Sequence, residues 1–159
     1  IVTDRFSKIG SGANLEATDL SGTVTEIIEY LKPRVSKQIE FTTSVQGNVI
    51  SPHSASLISW VLENISKNAI DAMEGKGKLQ IVLTTTPEWA HIDIKDTGKG
   101  MTPKQIRTIF KPGYTTKKRG WGLGLTLVKR IVEEYHKGKV FVVESQPGAG
   151  TTFRVSIPM

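Results

Sequence analysis

Cysteine is absent from the 159 residues, which excludes a disulfide framework, a thiolate metal site and a cysteine nucleophile together. Long apolar runs are absent as well. None approaches the ~18 residues of a membrane-spanning helix, and residues 1–20 lack the charged, apolar and small-residue order of a signal peptide. With 38% hydrophobic and 23% charged residues, the composition is that of one soluble globular domain closing a single core. The start at Ile1 rather than Met leads us to expect a fragment, any membrane or sensory part lying outside it. Acidic residues are missing from one stretch in particular. Between Thr97 and Val132 there are nine basic residues and no Asp or Glu, so the rest of the chain is net negative although the whole carries +6. This local basicity is interleaved with Gly98, Gly100, Gly113, Gly120, Gly122 and Gly124. Backbone amides beside cations are what phosphate groups require, so a bound polyanion is expected. A nucleic acid is not, because the basic stretch would have to form an exposed groove with stacking aromatics.

Residues 1–14 show no sustained period and contain Gly10-Ser11-Gly12, the pattern of a linker, and the domain proper is expected over 15–159. Val24, Ile27, Ile28 and Leu31 recur at helical spacing before Pro33, predicting a helix over 21–32. A short strand over 38–45 follows. The strongest helical signal runs over 54–73, where Ile58, Leu62, Ile65, Ala69 and Ala72 make one ladder. An adjoining ladder of Leu57, Val61, Asn64, Asn68 and Asp71 sets three polar side chains beside the buried stripe. Alternation predicts strands over 79–85 and 89–95, then a short helix over 103–109, an irregular segment over 110–120 and a helix over 123–135. A hairpin of 139–144 and 151–157 around Pro147-Gly148-Ala149-Gly150 closes the chain. This order reads as one sheet with its helices on one face.

Two phosphate motifs are excluded. No Gly-Lys pair is followed by Ser or Thr, and Gly120-Trp121-Gly122-Leu123-Gly124 follows a loop rather than a strand, which removes the P-loop and Rossmann contexts. Its neighbours give that run its meaning. The segments ENISKNAIDAM (63–73), DTGKGM (96–101), IFKPGYTTK (109–117), GWGLGLTLVKRIV (120–132) and GAGTTF (148–153) occur in one order. This series resembles the ATP-binding superfamily of gyrase, heat-shock chaperones, histidine kinases and mismatch-repair ATPases. Within it, IFKPGYTTK and the run from Gly122 to Pro158 are similar to the catalytic domain of bacterial sensor histidine kinases. The resemblance covers about 15–159 and implies an α+β, two-layer sandwich of the Bergerat type. Its mixed, mostly antiparallel sheet would carry about three main helices on one face and a flexible ATP lid.

The resemblance also implies ATP and Mg²⁺, and roles for matching positions. Asn68 matches the Mg²⁺-ligating Asn, a neutral amide oxygen suited to a hard cation already neutralised by phosphate oxygens. Asn64, one turn earlier, can face the same metal-triphosphate group, and these two are the candidate catalytic residues. Glu63 and Lys67 read as a solvent ion pair instead. Asp96 matches the adenine-reading carboxylate, which accepts from the exocyclic amine but would meet a guanine carbonyl lone pair to lone pair. Thr151 matches a hydroxyl sharing that water network, while Gly98 and Gly100 are expected to let backbone approach the base and sugar. Met101 belongs to the same nucleotide-binding set. Phe110 opens the phenylalanine box, and Thr115, Thr116, Lys117, Lys118 and Arg119 belong to the lid, its cations screening the β- and γ-phosphates. Gly120, Gly122 and Gly124 can bring bare amides to the phosphates, with Leu123 and Leu125 beside them at the positive end of the following helix.

One departure is notable. Many histidine kinases carry Lys and Tyr three and four residues after the metal-binding Asn, where this chain has Asp71 and Ala72. Asp71 stays in the expected nucleotide-binding set, and a nonenzymatic ATP switch stays open until turnover is measured. His53, His91 and His136 lie outside the family's phosphoacceptor pattern, so the acceptor is expected on a dimerisation hairpin not contained in this chain. The expected partners are that hairpin and a response regulator, with no direct membrane contact, a cytoplasmic location and a monomeric fragment. ATPases of the gyrase kind resemble the chain at the same boxes but place Glu at the position of Asn64 to activate water. An amide cannot take that proton. A serine kinase of the anti-sigma-factor kind would need a protein hydroxyl acceptor, and the apparent linker at the start favours the histidine kinase.

Overall fold

The computed structural model describes residues 15–111 and 124–159. A five-stranded sheet is built from β2 (Ile39–Val45), β4 (Gly77–Thr85), β5 (Trp89–Asp96), β6 (Lys139–Gln146) and β7 (Gly150–Pro158), in the order β2-β4-β5-β7-β6. Only β2 and β4 pair in parallel; the other three pairings are antiparallel. Period-two alternation puts Leu79, Ile81 and Leu83 of β4, Ile92 and Ile94 of β5 and Phe153, Val155 and Ile157 of β7 into the core. Two long helices cover that face. In α1 (Leu20–Leu31) Val24, Ile27, Ile28 and Leu31 are buried at i, i+3, i+4 and i+7 spacing. In α2 (Ala55–Met73) Ile58, Leu62, Ile65 and Ala69 are buried at i, i+4, i+7 and i+11.

Local signals fix the ends. Asp19 caps α1 by accepting from Ser21 N–H at 3.1 Å, and Ser54 caps α2 through Leu57 N–H. The short α3 (Pro103–Thr108) carries a capping box: Gln105 N–H donates to Thr102 Oγ1 and Thr102 N–H donates to Gln105 Oε1. Glu74 ends α2 in the left-handed region at φ 52°.

Two differences from the sequence reading stand out. A second sheet pairs β1 (Glu16–Asp19) with β3 (Ile50–His53) antiparallel, so the expectation of one sheet is corrected. Both strands have four residues, one without alternation and one interrupted by Pro52, so neither shows a strand signature. The single helix expected over 123–135 is instead α4 (Gly124–Arg130) followed by a π-helical turn over Ile131–Tyr135. There the His136 ring takes up a carbonyl five residues back, Nδ1–H donating to Ile131 O at 2.8 Å.

That imidazole is occupied on both sides, since Ser54 N–H donates to its Nε2 at 3.1 Å. His53 is held the same way, by Ser51 O at Nδ1 and the Thr23 hydroxyl at Nε2. Burial lowers the pKa of both rings below the ordinary histidine value and keeps them neutral. His91 is half-buried and pairs with the buried Ser156 Oγ at 2.7 Å.

Candidate functional site

The polar ladder of α2 emerges from the core step by step. Leu57 and Val61 are fully buried, Asn64 and Asn68 are half-buried and Asp71 is exposed. The amide of Asn64 is oriented by donating from Nδ2 to Trp60 O at 2.9 Å. Its Oδ1 faces Gly124, whose added Cβ would come within 3.8 Å of it. The start of α4 and the middle of α2 therefore meet at this amide. Glu63 and Lys67 form the expected ion pair at 2.8 Å, away from that seam.

Asp96 closes β5 on the core side and is 2% exposed. Burial pushes its carboxyl pKa above the ordinary aspartate value, while the backbone amides of Gly98, at 2.7 Å, and Thr151 pull it back down. Among the described residues no basic side chain pairs with it. A buried carboxylate with two amide donors keeps acceptor capacity for a further donor. Thr151 lies directly across from it in the β5–β7 register.

The loop after Asp96 is pinned from three sides. Lys99 N–H donates to Ala72 O of α2 at 3.0 Å, and Gly148 N–H of the β6–β7 turn donates to Lys99 O at 2.7 Å. Met101 N–H donates to Ser145 Oγ of β6 at 2.8 Å. The glycines make this pinning possible. A Cβ on Gly98 would stand 2.5 Å from Ala72 O, and one on Gly100 would stand 1.9 Å from Gln146 O. Their missing side chains thus admit protein backbone. Gly150, at φ +88°, has the same tie to the site, its Cβ falling 2.1 Å from Asp96 O. Gly150→Ala should accordingly cost about 3 kcal/mol or more of unfolding free energy. An unchanged urea midpoint would show that this backbone approach is not required.

Phe110 packs rather than projects. Its ring meets Phe153 edge-on at 6.2 Å, Lys129 Nζ lies 5.9 Å from its centroid, and its carbonyl accepts from Thr126 Oγ1 at 3.0 Å. Met101 and Leu125 are likewise half-buried against the core. Thr115, Thr116, Lys117, Lys118, Arg119, Gly120, Gly122 and Leu123 lie outside the described residues. The structure therefore brings Asn64 to Gly124 at one place, and Asp96 to Thr151 and the 97–101 loop at another, where it adds Ser145. That serine was missed because a lone Ser in an alternating strand carries no signal of its own. Among the described residues no group of His, Cys, Asp and Glu could hold a metal.

A two-layer α/β fold with a buried acidic strand end and an amide-bearing helix is the arrangement that the sequence resemblance implies for an ATP-binding domain. Residues 53–159 match the family described as histidine kinase-, DNA gyrase B- and HSP90-like ATPases, and the chain belongs to it. Among its relatives, sporulation kinase C of Bacillus subtilis is 41% identical over 99 residues, covering 62% of this chain and 23% of that protein. The sensor histidine kinase ZraS of Escherichia coli is 32% identical over 148 residues, covering 91% of this chain and 31% of its own length. The catalytic domain of histidine kinase ThkA superposes with a TM-score of 0.81 at 25% identity, covering 91% of this chain and 95% of that one. The chain is thus a catalytic domain of the sensor histidine kinase type, with the fold the sequence resemblance implied. It spans less than a third of the length of either curated relative.

Proposed function

We propose that this domain binds Mg-ATP and, within its parent protein, presents the γ-phosphoryl group to a His on a dimerisation hairpin. The observation that carries the reading is Asp96, an ionisable side chain 2% exposed at a strand end with acceptor capacity to spare. A carboxylate there receives the exocyclic amine of adenine, and Thr151 stands beside it. The full-length histidine kinase ShkA, of the same fold, has been crystallised with AMPPNP.

The described donor set fits Mg²⁺ only in company. Amide oxygens such as those of Asn68 and Asn64 are hard, neutral ligands, so the ion would be held mainly by the phosphates, with Asn68 completing its shell. The bound ion would neutralise charge on the triphosphate. The chain's own work is to fix the base at Asp96, orient the phosphates at the start of α4 and keep a proton acceptor away from water. Asn64 serves the last purpose, because its amide has no basic lone pair. Asp71, Gly98, Gly100, Met101, Phe110 and Leu125 frame the same site in this reading, and the lid from Thr115 to Arg119 screens the phosphates.

In the parent protein, residues 1–14 would join the catalytic unit to the hairpin, the domain would work in the cytoplasm, and a response regulator would receive the phosphoryl group. ThkA has been crystallised in complex with the response regulator TrrA. No helix among the described residues is long and apolar enough to cross a membrane. Calorimetry should show Mg-ATP binding to the isolated chain without detectable steady-state hydrolysis. Rapid hydrolysis would move the chain to the ATPase branch of the family.

A further inference from the structure

We propose that Ser145 is a positioning residue for base recognition: it holds the Thr151 hydroxyl as an acceptor toward the base, and so makes the site select a 6-amino over a 6-oxo purine. The inference rests on the adenine-binding reading above and deepens it.

The argument is a proton count. Ser145 Oγ has three neighbours: Met101 N at 2.8 Å, Thr151 Oγ1 at 2.7 Å and Gly150 O at 3.2 Å. A hydroxyl offers one proton and two lone pairs. The Met101 amide can only donate and the Gly150 carbonyl can only accept. All three contacts are hydrogen bonds in one arrangement alone: Ser145 gives its proton to Gly150 and accepts from both Met101 and Thr151. The Thr151 proton is then spent on Ser145. Both Thr151 lone pairs remain, on a residue set opposite Asp96 in the β5–β7 register.

Asp96 and Thr151 then present only acceptors to the purine 6-position, directly or through water. An amino group brings two donors to such a pair, whereas a 6-oxo group meets it with lone pairs and leaves buried polar groups unmatched. Without Ser145 the Thr151 hydroxyl can turn and donate, and the discrimination relaxes. Ser145 also ties the 97–101 loop to β6 through Met101, so its removal has a structural component that the test must separate.

The test compares ATP with ITP, which share sugar and phosphates and differ at the 6-position and in the proton that the 6-oxo base carries on N1. For the wild-type chain ATP should bind more tightly than ITP. Ser145→Ala should weaken ATP about tenfold and leave ITP unchanged or tighter, lowering the ATP:ITP affinity ratio about tenfold. Ser145→Thr, which keeps the hydroxyl, should restore most of the ratio. Thr151→Val should lower the ratio as much as Ser145→Ala, and the double variant should lower it no further. Should Ser145→Ala fail to fold, Ser145→Cys, with a poor donor and acceptor in the same shape, carries the same expectation. Equal losses for ATP and ITP, or additive effects in the double variant, would overturn the proposal and leave Ser145 a structural residue. A wild-type chain that binds neither nucleotide would instead remove the ATP reading itself.

Discussion

Asp96→Asn should lower ATP affinity by about 10²- to 10³-fold, because the substitution turns an acceptor-only group into one that presents N–H donors to an amine and to its bound water. The same change should leave the unliganded domain at least as stable as before. The sign follows from the carboxyl pKa, which burial raises above its ordinary value. A group shifted that way contributes its full stability below the unfolded value of 3.8 and loses it as pH rises through the folded value. Wherever it is ionised the carboxylate is therefore a net cost, retained for what it binds. Calorimetry with ATP and urea unfolding without it measure the two halves. Unchanged affinity would remove Asp96 from the site, and an unfolded variant would make it a structural residue.

The second large effect is expected at Asn68. Asn68→Leu should abolish the Mg²⁺ dependence of ATP binding and reduce phosphoryl transfer by about a hundredfold, since a hard amide oxygen is replaced by a side chain with no donor atom. The position is half-buried on the polar ladder of α2, so the fold should lose no more than about 1 kcal/mol. Titrations of ATP with Mg²⁺ and with EDTA read this directly. If the difference between the two persists in the variant, the ion is held elsewhere.

Much of this geometry was readable in the sequence because it is periodic. The ladders of α2 put Asn64 and Asn68 beside the core, as the structure finds, whereas Asp96 was read only as following a strand over 89–95, and the structure sets it inside β5 with its side chain buried. The β1–β3 sheet was not readable. Four-residue strands, one holding Pro52, carry too little alternation, and their pairing is decided by the partner. The π turn before His136 was hidden for a related reason: it accompanies a side-chain hydrogen bond to Ile131 O that spacing does not reveal. The glycines of the 97–101 loop were legible as backbone approach points, but not as approaches of protein to protein. Ala72 and Gln146, which fill the room beside Gly98 and Gly100, lie 26 and 46 residues away along the chain. Ser145 was invisible for the same reason, its meaning residing in three neighbours drawn from two other segments.

The most direct test of the central claim combines this chain with a separate His-bearing dimerisation hairpin and radiolabelled Mg-ATP. The account predicts that label from the γ-phosphate moves to the hairpin, in an adduct labile to acid and stable to base as a phosphoramidate on imidazole should be. It further predicts that Asn68→Leu and Asp96→Asn abolish the transfer. Rapid release of inorganic phosphate without the hairpin, lost in Asn68→Leu, would contradict it and make the chain an ATPase. Tight Mg-ATP binding with no label on any cognate hairpin would contradict it in the other direction, leaving a nucleotide-binding switch without transfer chemistry.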